Sequence, residues 1–244
     1  MKTYARPPII EASIEVKFAD KLDRRDIERT ADTLGKQYAR QDEAEVSLRI
    51  EKGQVSHTLT PAGIRLTNTA LLHTVLVRES ALAFARLPPY PGWDQFFAEA
   101  WEVFHETRRR LGYRKVVRVG LRYVNRIDIP FGPDNSPQNP REFVRTGFID
   151  VSLLGMVTPT AYLTQGDFFP LGGWAKAVVR TATAVPALIR HSALLLDIDV
   201  FADADVPQIE TDLEKLMGRL RDLKNEVFLA CITPKAEALF EAVP

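Results

Sequence analysis

The chain predicts an α+β fold built of two similar halves, and three features of the sequence carry that expectation. Residues 9–18 and 114–129 alternate apolar and polar side chains, the period of a strand with one buried face. Two stretches, one after Gly92 and one after Asp205, repeat apolar residues at the spacing of a helical face. Between each alternating strand and its long helix lie several shorter strand-like runs parted by turn residues. That order suggests antiparallel strands with the long helices covering one face.

In the first strand Ala12, Ile14, Val16 and Phe18 point one way, and Glu11, Ser13, Glu15 and Lys17 the other. Asp23 and Asp26 open a helix, where carboxylates meet the free N–H groups of the first turn. Leu22, Ile27, Ala31, Leu34 and Tyr38 supply its apolar stripe. Strands are predicted at about 45–52, 54–60, 63–68, 72–79 and 81–86, with turns at Gly53 and Pro61-Ala62-Gly63. Pro88-Pro89-Tyr90-Pro91-Gly92 stops this run. Behind it Trp93, Phe96, Phe97, Ala100, Trp101 and Phe104 recur on one helical face, opposite Glu99, Glu102, Glu106 and Arg109. These rings are expected to pack on a sheet rather than form a ligand platform, because aromatic side chains bury the most area.

The second half opens with the strand at 114–129, followed by a loop at 130–140 rich in Pro, Asn and Gly. A short helix is predicted around 140–147, then strands at about 158–165, 174–184 and 190–202, with Gly172-Gly173 as a turn. Asp205 is expected to cap the second long helix, with Gln208 three residues on as in a capping box. Ile209, Leu213, Leu216, Met217, Leu220 and Val227 form its stripe, and a last short helix at about 234–241 follows Thr233-Pro234. The halves cover about 1–112 and 113–244 of a single unit, 1–244. This doubled order is reminiscent of the TATA-binding protein in topology alone, which carries no function.

Composition bounds the rest. Lys and Arg number 32 against 32 Asp and Glu, and 45% of residues are hydrophobic, which excludes a disordered chain and any global attraction to nucleic acid. No apolar run approaches the roughly 20 residues of a membrane span. Cys231 is the only cysteine, so no intrachain disulfide forms, and a buried inert thiol is expected there. The start, Met1-Lys2-Thr3-Tyr4-Ala5-Arg6-Pro7-Pro8, lacks the apolar core of a secretory signal. A cytoplasmic protein is the expectation. Charge is uneven: residues 114–145 hold 7 basic and 3 acidic groups, residues 146–244 hold 8 and 13. Mutual neutralisation within the fold is the simple account.

Three segments are family-like: Pro7 to Phe18 (PPIIEASIEVKF), Gly120 to Ile127 (GLRYVNRI) and Leu223 to Thr233 (LKNEVFLACIT). As a set they resemble a sporadically distributed bacterial protein family with no assigned function. The resemblance spans the chain and implies one family unit; it lends no activity.

The basic segment is the main candidate site. Arg118, Arg122 and Arg126 share a strand face with Gly120, Val124 and Asp128, and successive arginines stand about 13 Å apart. Such a row matches alternate or more distant phosphates of a nucleic-acid strand. The expected arrangement, however, is cross-strand pairing with Glu11 and Glu15, if the two alternating strands are neighbours at the centre of a doubled sheet. Asn125 lies on the apolar face with Val119, Leu121, Tyr123, Ile127 and Ile129. A buried amide without partners costs about 1–3 kcal/mol, so it is expected to close off a bulge or strand end, with a ligand contact as the alternative.

Asp197 and Asp199 share a strand face and suggest Mg²⁺, but Ala193 and Leu195 on that face argue against it. Glu15-Val16-Lys17 lacks the upstream acid of a nuclease site. His57, His73, His105 and His191 show no zinc spacing, and no nucleotide-binding or nucleophile-elbow motif occurs. No catalytic residue, metal ligand or cofactor is assigned. The candidate ligand-binding residues are Arg118, Arg122, Asn125 and Arg126. The reading is a cytoplasmic, non-catalytic binding or adaptor protein with a protein partner or a second copy of itself, away from membranes. Two alternatives stay open. One is binding of nucleic acid or a phosphorylated ligand along the arginine row. The other is an enzyme with a polar site between the halves, drawing on Asn125, Arg126, Asp128 and Asp197.

Overall fold

The computed structural model describes residues 3–34, 38–51, 54–70, 72–145 and 161–243. Strands β2 (Ile9–Phe18) and β7 (Val116–Pro130) pair antiparallel at the middle of a nine-stranded antiparallel sheet. Outward from that pair run β6 (Ala81–Arg86), β5 (His73–Arg78), β4 (Gln54–Asn68) and β3 (Ala39–Glu51) on one side. On the other run β10 (His191–Ala202), β9 (Ala175–Ala184) and β8 (Leu163–Leu171). Every neighbouring pair is antiparallel, so the fold is α+β as the blocks of strands predict.

The alternation in β2 is realised residue by residue: Ala12, Ile14, Val16 and Phe18 are buried while Glu11, Ser13, Glu15 and Lys17 are partly exposed. The buried face carries helices α1 (Arg24–Leu34), α2 (Trp93–Leu111) and α3 (Glu210–Cys231). Helix α1 packs on β4, β5 and α2, α2 on β6, and α3 on β7 and β10. One continuous apolar core fills the space between helices and sheet. On α2 the predicted aromatic face divides. Phe96, Ala100 and Phe104 are buried, whereas Trp93, Phe97 and Trp101 stack in a column along the flank at 5.1 and 5.3 Å. Among the described residues no helix is long and apolar enough to cross a membrane.

Four expectations are corrected. Pro61-Ala62-Gly63 is no turn, because β4 runs straight through it. β5 pairs with β4 only from Gly63 onward, so Pro61 costs no hydrogen bond to β5, and a register shift at Glu43/Ala44 of β3 absorbs the irregularity. Gly63 is required there, since a Cβ would meet the Val77 carbonyl oxygen at 2.3 Å.

Asp205 does not cap α3, which begins at Glu210 after Ile209. Pro207 disfavours helical geometry at Val206, and Asp205 itself stands at φ 51°.

The helix predicted at 140–147 is a single 3₁₀ turn, Pro140–Glu142. Val144 then bridges to Ile232, and Arg145 and Thr233 bond to Cys231 and Phe143, which draws the backbone away from a helix. The last helix is shorter than predicted as well, α4 (Pro234–Glu237), capped by Thr233 and continued by a 3₁₀ turn.

Gly53, residues 146–147 of the short helix and residues 158–160 of the predicted strand lie outside the described residues. Cys231 is buried as expected. A two-stranded ribbon, β1 (Thr3–Tyr4) with β11 (Ala242–Val243), joins the two ends of the chain.

Candidate functional site

The sheet face turned away from the three helices carries the predicted arginine row. Arg118 donates to Glu15 at 2.5 Å across the β2–β7 pair, as the strand pairing predicts, and to Asp199 of β10 at 3.1 Å. Its guanidinium also stacks 4.1 Å over the Phe201 ring. Arg122 departs from expectation: its Nε and Nη2 grip both oxygens of Asp197 at 2.9 Å each, with no hydrogen bond to Glu11. The register explains the choice. Arg122 lies opposite Asp199 on β10 and Ser13 on β2, so its long side chain reaches the diagonal carboxylate. Arg126 pairs within its own strand, with Asp128 at 3.0 Å.

Asp197 is only 7% exposed and also receives Arg180 of β9 at 3.2 Å, so two guanidinium groups compensate one buried carboxylate. The hydrogen bond to Asp197 holds the Arg122 pKa above its ordinary value. Burial raises the Asp199 pKa, with Arg118 pulling the other way. Both aspartates are thus occupied by guanidinium groups, and the described residues hold no cluster of three or more metal-ligating side chains.

Asn125 sits on the other face, 3% exposed, and its amide nitrogen donates to the carbonyls of Leu196 at 3.0 Å and Tyr123 at 3.3 Å. The β2–β7 register shifts between Ile9 and Glu11, opposite Asn125 and Val124. The amide thus ties β7 to β10 and to its own strand, while the bulge lies on the β2 side, so neither of its bonds reaches the bulged residues. The four predicted binding residues are split by the sheet, with Arg118, Arg122 and Arg126 on one side and Asn125 on the other. The same division separates Asn125 from Arg126, Asp128 and Asp197, so the enzyme constellation is not assembled around one point.

Beside the row lies a trough of about 570 Å³. Adjacent positions Ser13, Ala83, Ala85 and Gly120 carry small side chains, and Arg65 and Arg78 face Arg118, Arg122 and Arg180 across them. Glu11, Glu15 and Asp199 also line it. Arg65 and Arg78 are anchored on Glu43 of β3, at 2.6 and 3.2 Å. Burial raises the Glu43 pKa, but the two arginine hydrogen bonds outweigh it and the net shift is downward. Sequence reading missed Arg65, Arg78 and Arg180 because each lies on a separate strand. The alternation of Lys176, Val178, Arg180 and Ala182 is the only local signal for the last of them.

On the helix side, β5, β6 and α2 bring together His73, Arg86 and Glu99. Glu99 stands 3.0 Å from both the histidine Nε2 and the arginine Nη1. Burial lowers the His73 pKa, opposed by Glu99 and reinforced by Arg86. None of this was visible from the spacing of the histidines alone. Searches against models of known protein families and against curated proteins return no match to this chain.

Proposed function

We propose that this chain is a non-catalytic binding protein that holds an extended acidic segment of a partner protein in the trough. The observation that carries the reading is the trough's build, a floor of small side chains between two groups of arginines. Five arginines and three carboxylates line it, and Glu43 and Asp197, which hold four of those arginines, bring the charges level, so the reading rests on the arginines' spare donors and not on net charge. A guanidinium has five donors, so an arginine bound to one carboxylate keeps others for a second. Arg122, whose side chain is 47% exposed, uses Nε and Nη2 on Asp197 and leaves Nη1 for a ligand.

Nucleic acid is the weaker reading, because Arg118, Arg122 and Arg126 are all paired with carboxylates and the local charge is largely cancelled. The strand order from β2 and β7 outward takes the first strand of each half, then its last, then the one before. That order supports the doubled halves 1–112 and 113–244 and the likeness in topology to the TATA-binding protein. The three family-like segments fall on β2, β7 and the end of α3, and we take them as the frame of the bacterial family they resemble. Cys231, buried and in no disulfide, fits a cytoplasmic location.

The test is fluorescence anisotropy with a labelled oligoglutamate peptide and with single-stranded DNA, at low and high salt. Wild type is compared with Ala85→Trp, which fills the trough from a solvent-facing strand position. Peptide binding that the variant loses is expected. Preference for DNA, or peptide binding that Ala85→Trp leaves intact, would sink the reading.

A further inference from the structure

The nine-stranded sheet ends in two edges of different character. At one edge β3 carries Arg40, Asp42, Glu43, Glu45, Arg49 and Glu51, charges of the kind by which edge strands resist pairing with another chain. At the other edge β8 reads LTQGDFFPL, with Asp167 as its single charge. Leu163, Phe168 and Phe169 are exposed there, and no described strand pairs with its outer side.

Strand geometry decides which groups of β8 face outward. The Thr183 N–H donates to the Tyr162 carbonyl oxygen across the β8–β9 pair at 3.1 Å. Antiparallel hydrogen bonding alternates along a strand, so the N–H and C=O groups of Leu163, Gln165 and Asp167 point away from β9. Gln165 and Asp167 stand opposite Arg180 and Val178, on the trough side of the sheet. Gly166 and Phe168 stand opposite Val179 and Ala177, on the helix side.

We propose that β8 pairs antiparallel with β8 of a second copy of this chain, about a two-fold axis at Gly166, which doubles the sheet across its unguarded edge. In this register Leu163 meets Phe169 of the second copy, apolar against apolar. Gln165 meets Asp167 of the second copy, an amide against a carboxylate, and the symmetry makes each contact twice. The neighbouring symmetric registers are worse. One sets Asp167 against Asp167, with like charges directly opposite, and the other sets Leu163 against Asp167.

The centre of the strand suits the same pairing. A Cβ at Gly166 would meet the Phe168 ring at 3.1 Å, so the ring leans back over its own glycine. Two glycines opposed at the axis let both rings meet over bare backbone, which takes Phe168 out of water. The axis stands perpendicular to the sheet, so both troughs open on one side. The pairing does not depend on what the trough binds.

Sedimentation velocity of the full chain at micromolar concentration is expected to give twice the mass of one chain. Gln165→Pro removes an outward N–H and leaves the ladder to β9, so it is expected to sediment as a folded monomer, with circular dichroism to confirm the fold. Cysteine substitution reads the register. Partners in a non-hydrogen-bonded antiparallel pair stand about 4.5 Å apart at Cα, within disulfide reach. Under mild oxidation Gly166→Cys is expected to form an intermolecular disulfide at least about tenfold faster than Asp167→Cys, which faces Gln165 across the interface. Cys231 is buried and does not compete. A wild-type monomer at micromolar concentration, a dimer that folded Gln165→Pro retains, or equal crosslinking at 166 and 167 overturns the proposal.

Discussion

The guanidinium of Arg118 lies over Gly120, two residues along the same strand. A Cβ at position 120 would stand 2.9 Å from Arg118 Nη1. By folding back over the bare backbone, Arg118 reaches Glu15, which is the register partner of Gly120, together with Asp199 and the Phe201 ring. A glycine in the middle of a central strand is ordinarily a weakness. Here it clears the path of the arginine that links β2, β7 and β10.

Gly120→Ala is accordingly expected to destabilise the fold by about 1 kcal/mol, because displaced charge-assisted hydrogen bonds outweigh the gain in strand propensity. In an Arg118→Met background the same substitution should be neutral or stabilising. A double-mutant cycle by urea denaturation checks this, and additive effects would remove the proposed dependence of Arg118 on Gly120.

Arg122 and Asp197 yield a second expectation. Arg122→Glu sets a carboxylate against a buried one and should cost about 2 kcal/mol, moderated because Arg180 still holds Asp197. Adding Asp197→Arg should recover part of that loss, whereas adding Glu11→Arg should not. Thermal melts of the single and double variants decide the matter; rescue by position 11 would mean that Arg122 pairs with β2 after all.

Much of the frame was legible in the sequence, because strand alternation and helical stripes are local patterns. β2, α2, β9 and β10 lie where those patterns put them. The pairing of β2 with β7 was readable only as a condition, and the Arg118–Glu15 bridge follows from it. What could not be read was the choice of partner. Asp197 wins Arg122 from Glu11 through the register of β10, which is set some seventy residues away along the chain. The trough needs side chains from β2, β4, β5, β6, β7, β9 and β10, none of which announces the others. Helix ends also escaped where Pro207 and the Val144–Ile232 bridge overrode local capping signals.

His73 carries a pH dependence. Its pKa is lowered in the folded protein, chiefly by burial, so the unfolded chain binds the proton more readily. The stability this neutral histidine contributes is present above its unfolded value of about 6.5 and is lost as pH falls towards the folded value. His73→Gln should flatten that loss. Urea midpoints at about pH 7.5, 6.5 and 5.5 provide the measurement. The same slope in variant and wild type would show that the titration lies elsewhere.

Gln208, expected to cap a helix, acts instead as a substitute strand. β10 pairs with β7 only from Val119 to Pro130, so at Val116 the edge facing β10 has no strand partner. The Gln208 side chain fills that place: its carbonyl oxygen accepts from the Val116 N–H at 2.9 Å, and its amide nitrogen donates to the Val116 carbonyl at 2.9 Å. A second donation, to the Val206 carbonyl at 2.8 Å, fixes the chain just before α3. Gln208→Ala removes both ladder bonds and should cost about 1–2 kcal/mol. It should also speed hydrogen exchange at the Val116 amide more than at amides elsewhere in β7. Gln208→Glu keeps the acceptor but turns a carboxylate towards two carbonyl oxygens, so near neutral pH it should be worse than alanine. Near pH 4 the glutamate gains a proton and can donate again, and the penalty relative to alanine should shrink. Urea denaturation of both variants at the two pH values separates the outcomes, and a glutamate variant as stable as wild type at neutral pH would show that the donated bonds contribute nothing.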